Sequence, residues 1–146
     1  KLRLNFFDRI NFYSNYLKIM RMFLEYMLWS VYEETMRAAK ICLDNRLLKD
    51  CINRCYYVAF YAVKAVLAIE GVDFKRHKDA IAYFNKTYVA SGKFSREIGK
   101  LLGRLKTIRE DSDYSEFFLV SIEDTKKQYD AARTIQDAVK KYLGKI

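Results

Sequence analysis

The stretch from Leu48 to Gly71, LKDCINRCYYVAFYAVKAVLAIEG, is the feature that most constrains how this chain can fold. Its apolar residues recur at the three-then-four spacing of one helix face. Alanines alternate along it with bulky aromatic side chains, so neighbouring helices can approach closely. No other segment is as apolar and as free of interruption, and Gly71 stands where a left-handed closing residue is wanted. The pattern therefore predicts that Leu48–Gly71 is the central core helix.

The composition favours an all-α fold in a single domain. The chain of 146 residues contains no proline, and 51% of its residues are hydrophobic. Long helices joined by short turns suit that composition, and a chain of this length can bury a core without disulfides or a metal. We therefore expect an up-and-down bundle of about four to five helices.

A helix is predicted immediately before the core helix, from Phe23 to about Leu43. Asp44 and Asn45 are expected to close it and to offer a cap to the core helix. Because only a few residues separate the two helices, they should form an antiparallel hairpin.

Three further helices are predicted after the core helix. The first of them follows the polar turn VDFKRHKD and ends at Gly92, and the next begins at Ser95. That helix should run into REDSDYSEFF, the most polar and least regular stretch of the chain. Ser121, followed three residues later by Asp124, resembles a capping box that opens the last helix.

Gly99 and Gly103 form a small-xxx-small pair on the helix that begins at Ser95. Two interior glycines cost roughly 1 kcal/mol each relative to alanine, so the pair predicts close packing against a neighbouring helix backbone. A phosphate-binding loop is not expected, because no strand precedes the glycines and the GxxxxGK[ST] pattern is missing.

The N-terminal segment Lys1–Met22 is basic and aromatic, with apolar residues at helical spacing. Three interpretations are open: a helix that packs on the domain or on a second subunit, a helix on a membrane surface, or a segment before the true start at Met20 or Met22. We favour the packed helix, because its apolar stripe in water would be a large exposed patch. The predicted division is an extension, residues 1–22, and a helical bundle, residues 23–146.

The net charge of +9 indicates an anionic partner such as RNA, DNA or an acidic protein, although a lysine-rich surface without such a partner carries the same charge. No stretch reaches the ~18 uncharged apolar residues of a membrane span. The N-terminus lacks the apolar run and small-residue cleavage site of a signal peptide. The odd number of cysteines, three, favours reduced thiols and a cytoplasmic location.

Metal and cofactor sites are not expected. Cys51 and Cys55 lie four residues apart on the core helix, and core thiols explain them better than zinc, which would need two more ligands. The acidic group Glu110, Asp111 and Asp113 follows an arginine at a helix end and is more typical of a solvated turn than of a divalent-ion site.

His77 is the one side chain of the sequence whose unperturbed pKa lies near neutrality. Its charged surroundings, KRHKD, favour a surface or capping histidine over a catalytic one.

Arg109 and Tyr114 are the candidate site residues. An arginine at the end of an apolar helix can point its guanidinium into a groove and bind phosphate bidentately. Arg54 and Tyr57 lie off the main apolar stripe of the core helix and are predicted to face the same groove. The alternative is a buried arginine–aspartate network that ties the two helices together.

Three motifs, NRCYYVAFYAVKAVL, FKRHKDAIAYFNKTYVASGKF and LLGRLKTIREDSDY, resemble in order and spacing the HEPN domain (higher eukaryote and prokaryote nucleotide-binding). They are similar to its small stand-alone prokaryotic branch, which has a YYAAFHAAKA-like core helix and an RxxADY-like signature. The resemblance extends from Trp29 to Leu143.

This resemblance implies a helical bundle that forms a homodimer. It also implies a minimal nucleotidyltransferase as partner, in pairs that often behave as toxin and antitoxin. Active HEPN members are metal-independent RNases with an R-x4-6-H motif. By position the arginine is Arg109, and Tyr114 stands where the histidine would be. His77 matches a THKG-like position of the branch, and Tyr61 replaces a histidine that many relatives have.

We rank three hypotheses. The first is a nucleotide- or RNA-binding module that partners a nucleotidyltransferase, with Arg54, Tyr57 and Arg109 as binding residues. The second is a HEPN-type RNase in which Arg109 stabilises the scissile phosphate and Tyr114 or His77 handles the proton, although a tyrosine with a pKa near ~10 is a poor base at neutral pH. The third is a membrane-surface or assembly adaptor that depends on Lys1–Met22.

Overall fold

The computed structural model describes residues 6–114 and 119–144, and within them it contains five α-helices and no β-strand. This confirms the prediction of an all-α bundle. The helices are α1 (Phe6–Asp44), α2 (Leu48–Ile69), α3 (His77–Phe84), α4 (Arg96–Tyr114) and α5 (Ile122–Leu143).

Helix α2 is the centre of the bundle. It contacts α1, α5, α4 and α3, and its apolar side chains are the largest contribution of any element to the core. By length and composition α2 is also the one helix among the described residues that could span a membrane. However, 67% of its apolar 18-residue stretch is buried inside the bundle, as is typical of a core helix.

Helices α1 and α2 form the predicted antiparallel hairpin, but the turn between them differs from the expectation. Arg46 adopts a left-handed φ of 57°, and the amide of Leu47 donates to the carbonyl of Cys42 at 2.8 Å. The Asn45 side chain donates to the carbonyl of Ile41 at 2.8 Å, so it closes α1. The prediction that this turn also caps α2 was wrong, because Leu47 occupies the cap position and provides no side-chain hydrogen bond.

Helix α1 is continuous over 39 residues, with no break near residue 22. At 1.5 Å per residue it measures about 58 Å against about 33 Å for α2, so its N-terminal part extends past the end of its partner. Several large apolar side chains are exposed there, namely Tyr16, Leu17, Ile19, Met22, Phe23 and Tyr26. Residues 1–5 lie outside the described residues, and the division at residue 22 and the packing of the extension stay predictions.

Gly71 ends α2 as predicted. Its φ is +67°, its amide donates to the carbonyl of Ala68 at 3.0 Å, and the amide of Val72 donates to the carbonyl of Leu67 at 3.1 Å. These two bonds satisfy carbonyls that the last turn of the helix leaves unpaired.

The glycine pair of α4 is only half explained by close packing. A Cβ atom added at Gly99 would lie 3.1 Å from Oδ1 of Asn85 and 3.4 Å from a methyl carbon of Val89. The neighbour is therefore the side-chain surface of the wide π turn at Asn85–Val89 that continues α3, and not a helix backbone. A Cβ added at Gly103 would meet nothing within 4 Å, so for Gly103 the prediction of close packing was wrong.

Helix α4 runs through REDSDY as far as Tyr114, where an irregular stretch was expected. Two ion pairs at i,i+4 spacing, Lys106–Glu110 at 2.8 Å and Arg109–Asp113 at 2.8 Å, line its last turns. Such pairs stabilise the helix. The polar residues that suggested an irregular stretch therefore extend the helix instead, because they form these ion pairs. The capping box of α5 is confirmed, since the amide of Asp124 donates to Oγ of Ser121 at 3.0 Å.

We expect Gly71→Ala and Gly103→Ala to change stability in opposite directions. Alanine at Gly71 must adopt a left-handed φ, which should lower the free energy of unfolding by about 1–2 kcal/mol. Alanine at Gly103 enters open space in a regular helix and should raise it by up to about 1 kcal/mol. Urea unfolding followed by circular dichroism measures both, and a change of the same sign in the two variants would contradict this account.

Candidate functional site

Arg109 leaves the last turns of α4 and lies over two tyrosine rings of α2. Its Cζ atom is 5.7 Å from the ring centroid of Tyr56 and 6.0 Å from that of Tyr57. Its side chain is 24% exposed, so the guanidinium is part-buried but still reachable from solvent. A cation in this position is attracted to the ring faces.

The ion pair of Arg109 stays within α4. Nη2 of Arg109 lies 2.8 Å from Oδ2 of Asp113, one helical turn further on. The arginine therefore reaches α2 through the tyrosine rings and not through an acidic residue on α2. Its Nε is buried without a hydrogen-bond partner, so Asp113 does not satisfy all five donors of the guanidinium.

His77, the first residue of α3, completes the group. Its Nδ1 is 3.1 Å from the hydroxyl oxygen of Tyr56, and its ring stacks on Phe60 with centroids 3.8 Å apart. Its ring also meets that of Tyr57 edge-on at 5.8 Å. With Nδ1 engaged by Tyr56, Nε2 is the ring nitrogen left for another molecule.

The protonation states in this group follow from its burial and its charges. Burial, together with the positive charges of Arg109 and Lys64, holds the pKa of His77 below its usual 6.5, so the imidazole is neutral at pH 7. Burial raises the pKa of Tyr56 to about 12, and its hydroxyl is therefore protonated. The cluster thus places a permanent cation beside a neutral imidazole, which can accept a proton.

We call this group the arginine cluster: Arg109, Asp113, Tyr56, Tyr57 and His77. It lies at the junction of α2, α3 and α4. An open cavity of about 460 Å³ lies elsewhere, between α1 and the end of α5. That cavity is mainly apolar, and Lys140, which lines it, already pairs with Glu33 at 2.8 Å.

The structure brings together some of the predicted site residues and separates others. Tyr57 and Arg109 are in contact. Arg54 is exposed on the same face of α2, one turn before Tyr57, and makes no described contact with Arg109. Tyr114 is 83% exposed, because five residues of continuous helix rotate its side chain about 140° away from that of Arg109. A role for Tyr114 in catalysis stays a prediction.

The sequence predicts a surface position for His77, whereas the structure places its ring against Tyr56 and Phe60. A charged turn surrounds it in sequence, and 21 residues separate it from Tyr56. One feature of the sequence points to this contact. Tyr56 lies on the buried stripe of α2, and a buried tyrosine hydroxyl needs a hydrogen-bond partner.

Cys51 and Cys55 belong to the core, and two members of the acidic group form ion pairs within α4. Cys51 and Cys55 are fully buried with their sulfur atoms 3.8 Å apart, and the contact with Cys51 and burial together raise the pKa of the Cys55 thiol. Glu110 and Asp113 are occupied by ion pairs along α4. In residues 6–114 and 119–144, no three His, Cys, Asp or Glu side chains are grouped as metal ligands would be.

Comparison with known proteins identifies the family. The sequence pattern of the HEPN domain matches residues 31–142, which is most of the chain. The chain therefore belongs to the HEPN domain family, and the resemblance seen from Trp29 to Leu143 is confirmed.

Three relatives illustrate the range of similarity. A protein of Thermotoga maritima named "UPF0332 protein" is 34% identical over 110 residues, which cover 75% of this chain and 83% of the relative. A protein of Methanocaldococcus jannaschii named "Putative toxin" is 30% identical over 114 residues, 78% of this chain and 84% of the relative. A "UPF0332 protein" of Pyrococcus horikoshii is 39% identical over 70 residues, 48% of this chain and 49% of the relative.

Proposed function

We propose that the arginine cluster binds a phosphate group of a nucleotide or of RNA, so that the protein acts as a HEPN-type binding module. The observation that carries this proposal is the position of Arg109, whose guanidinium is part-exposed over two tyrosine rings. A guanidinium can donate two parallel hydrogen bonds to a phosphate. The neighbouring rings offer faces on which a base can stack.

The electrostatics of the cluster support an anionic ligand. Burial lowers the pKa of His77, and the positive charges of Arg109 and Lys64 lower it further, so two cations act at this position beside the carboxylate of Asp113. The whole chain carries a net charge of +9, which acts in the same direction at longer range.

The module is further proposed to act as a homodimer beside a minimal nucleotidyltransferase, in a toxin–antitoxin-like pair. Relatives named as toxins support a pairing of this kind. The exposed apolar residues at the N-terminal part of α1 offer surface for a protein contact.

Substitution of Arg109 should weaken RNA binding. Loss of charge-assisted hydrogen bonds to one phosphate costs about 1.5–3 kcal/mol, so we expect Arg109→Ala to raise the Kd about 10- to 100-fold. Fluorescence anisotropy with a labelled RNA at fixed salt measures the change. Arg104→Ala, which removes an exposed arginine on the same helix, is the matched control. Equal losses in the two variants would show that only general charge matters.

The partner proposal has its own test. Co-expression with a nucleotidyltransferase encoded by a neighbouring gene should yield a complex that remains together on a sizing column. The expected mass corresponds to two copies of this chain with the partner. Clean separation of the two proteins would count against the pairing without affecting the binding role of Arg109.

A second candidate function is metal-independent RNA cleavage, and the neutral His77 beside Arg109 favours it. In this reaction His77 carries its proton on Nδ1 and donates it to the hydroxyl oxygen of Tyr56, so that the unprotonated Nε2 takes the proton of a ribose 2′-hydroxyl. The oxygen attacks the adjacent phosphorus, and the bond to the 5′-oxygen breaks. That leaving oxygen takes a proton from water, while Arg109 stabilises the charge on the phosphoryl oxygens. The products are a 2′,3′-cyclic phosphate and a 5′-hydroxyl.

The pH dependence distinguishes His77 from Tyr114 as the base. A base acts when deprotonated, so cleavage should be lost as the pH falls through the pKa of His77, which lies below 6.5, and should be constant near pH 7. His77→Gln should reduce the rate about 100-fold or more, whereas Tyr114→Phe should not change it. The readout is cleavage of a labelled RNA. A rate insensitive to His77→Gln would remove His77 from the mechanism, and no cleavage by the unaltered protein would remove this candidate function.

A further inference from the structure

Between residues 51 and 68, one face of α2 stays open while the other side chains are buried. Among residues 51–68, the side chains that reach the surface are Asn53, Arg54, Tyr57, Tyr61 and Lys64. Arg54, Tyr57, Tyr61 and Lys64 follow one another at a spacing of three and four residues, which places them along a single line on the helix, and Asn53 lies beside the first of them. We call this line the α2 seam. From Arg54 to Lys64 it is about 15 Å long, at 1.5 Å per residue.

The seam alternates charge and aromatic surface. Arg54 and Lys64 lie at its two ends, and Tyr57 and Tyr61 lie between them with ring centroids 5.9 Å apart and ring planes inclined by 34°. Residues 51–68 contain no aspartate or glutamate, and the exposed Asp50 lies one turn before Arg54, beyond that end of the seam. Tyr57 also belongs to the arginine cluster, so the seam leads directly to Arg109.

This combination is suited to nucleic acid rather than to a protein partner. Tyrosine and arginine also occur at the centre of protein–protein interfaces, but lysine is depleted there, and the seam ends in Lys64 and exposes no aliphatic residue. By contrast, the N-terminal part of α1 exposes Leu17, Ile19 and Met22. Cations that follow a phosphate backbone, with aromatic rings on which bases stack, are the means by which proteins bind single strands.

We propose that the α2 seam binds single-stranded nucleic acid, with bases stacked on Tyr57 and Tyr61 and with phosphates at Arg54 and Lys64. This inference rests on the proposed function, and it extends the ligand from one phosphate at Arg109 to several nucleotides along α2. A duplex should bind less well, because its bases are already stacked on one another and cannot offer their faces to the tyrosine rings.

The ion pair of Lys64 is compatible with this role. Lys64 contacts Asp73, whose side chain is 78% exposed in the turn between α2 and α3. A pair with so exposed a partner contributes little to stability, so a phosphate can replace the carboxylate at low cost.

The test is binding of a labelled single-stranded oligouridylate by fluorescence anisotropy, over a range of salt concentrations. Tyr61→Ala should raise the Kd about 5- to 100-fold, because one stacked base is lost. Lys64→Gln should lower the slope of log Kd against log salt by about 0.7. A duplex of the same length should bind more weakly than the single strand.

Two control variants separate these effects from misfolding and from general charge. Tyr61→Phe keeps the ring and should retain the affinity of the unaltered protein. Lys126→Gln removes an exposed charge on α5, outside the seam, and should change the salt slope less than Lys64→Gln.

The outcomes distinguish this inference from the proposed function. Weaker binding in Arg109→Ala but not in Tyr61→Ala would overturn the seam and leave the phosphate site at Arg109. No binding of the oligouridylate by the unaltered protein would overturn both. A dimer that dissociates in Tyr61→Ala, with unchanged affinity for the strand, would show that the seam is a protein interface and would overturn the inference.

Discussion

The burial of α2 is the constraint on which the rest of the structure depends. Its aromatic and branched side chains are covered by α1, α4 and α5, and that burial is the main stabilising contribution available to a bundle without disulfides. One consequence concerns polar groups. A polar side chain on a helix that is covered so extensively must either form a hydrogen bond inside the bundle or lie on the line of the helix that stays open to solvent. Tyr56 is an example of the first case, and the α2 seam is an example of the second.

The arginine cluster follows from the first case. The hydroxyl of Tyr56 is removed from water on the buried side of α2, and an unpartnered hydroxyl there would cost about 1–3 kcal/mol. The bond to His77 avoids that cost and fixes the position of the start of α3. The same contacts bring the imidazole near Arg109 and bury it enough to keep it neutral at pH 7. The hydrogen bond to Tyr56 and the position of a neutral histidine near Arg109 therefore have the same origin.

The elements that could be predicted from sequence are those set by local chemistry. The left-handed closure at Gly71 and the cap at Ser121 depend on residues within one or two turns, and both are present. The helical course of REDSDY was missed because composition alone does not show that alternating charges will pair at i,i+4 spacing. That error also affected the site. A loop after Arg109 would have allowed Tyr114 to fold back, whereas a continuous helix puts Asp113 beside the arginine and turns Tyr114 outward.

By itself, the sequence determined that the chain is helical, that the stretch Leu48–Gly71 forms its central core helix, and that Arg109 and Tyr57 are candidate binding residues. These conclusions rest on periodicity and residue type, which are properties of neighbours along the chain. Only the tertiary structure decided that His77 contacts Tyr56 and that five side chains between residues 51 and 68 of α2 reach the surface. The physical reason is that these features arise where different helices cover one another, and the packing of α1, α3, α4 and α5 around α2 is not encoded in any one segment.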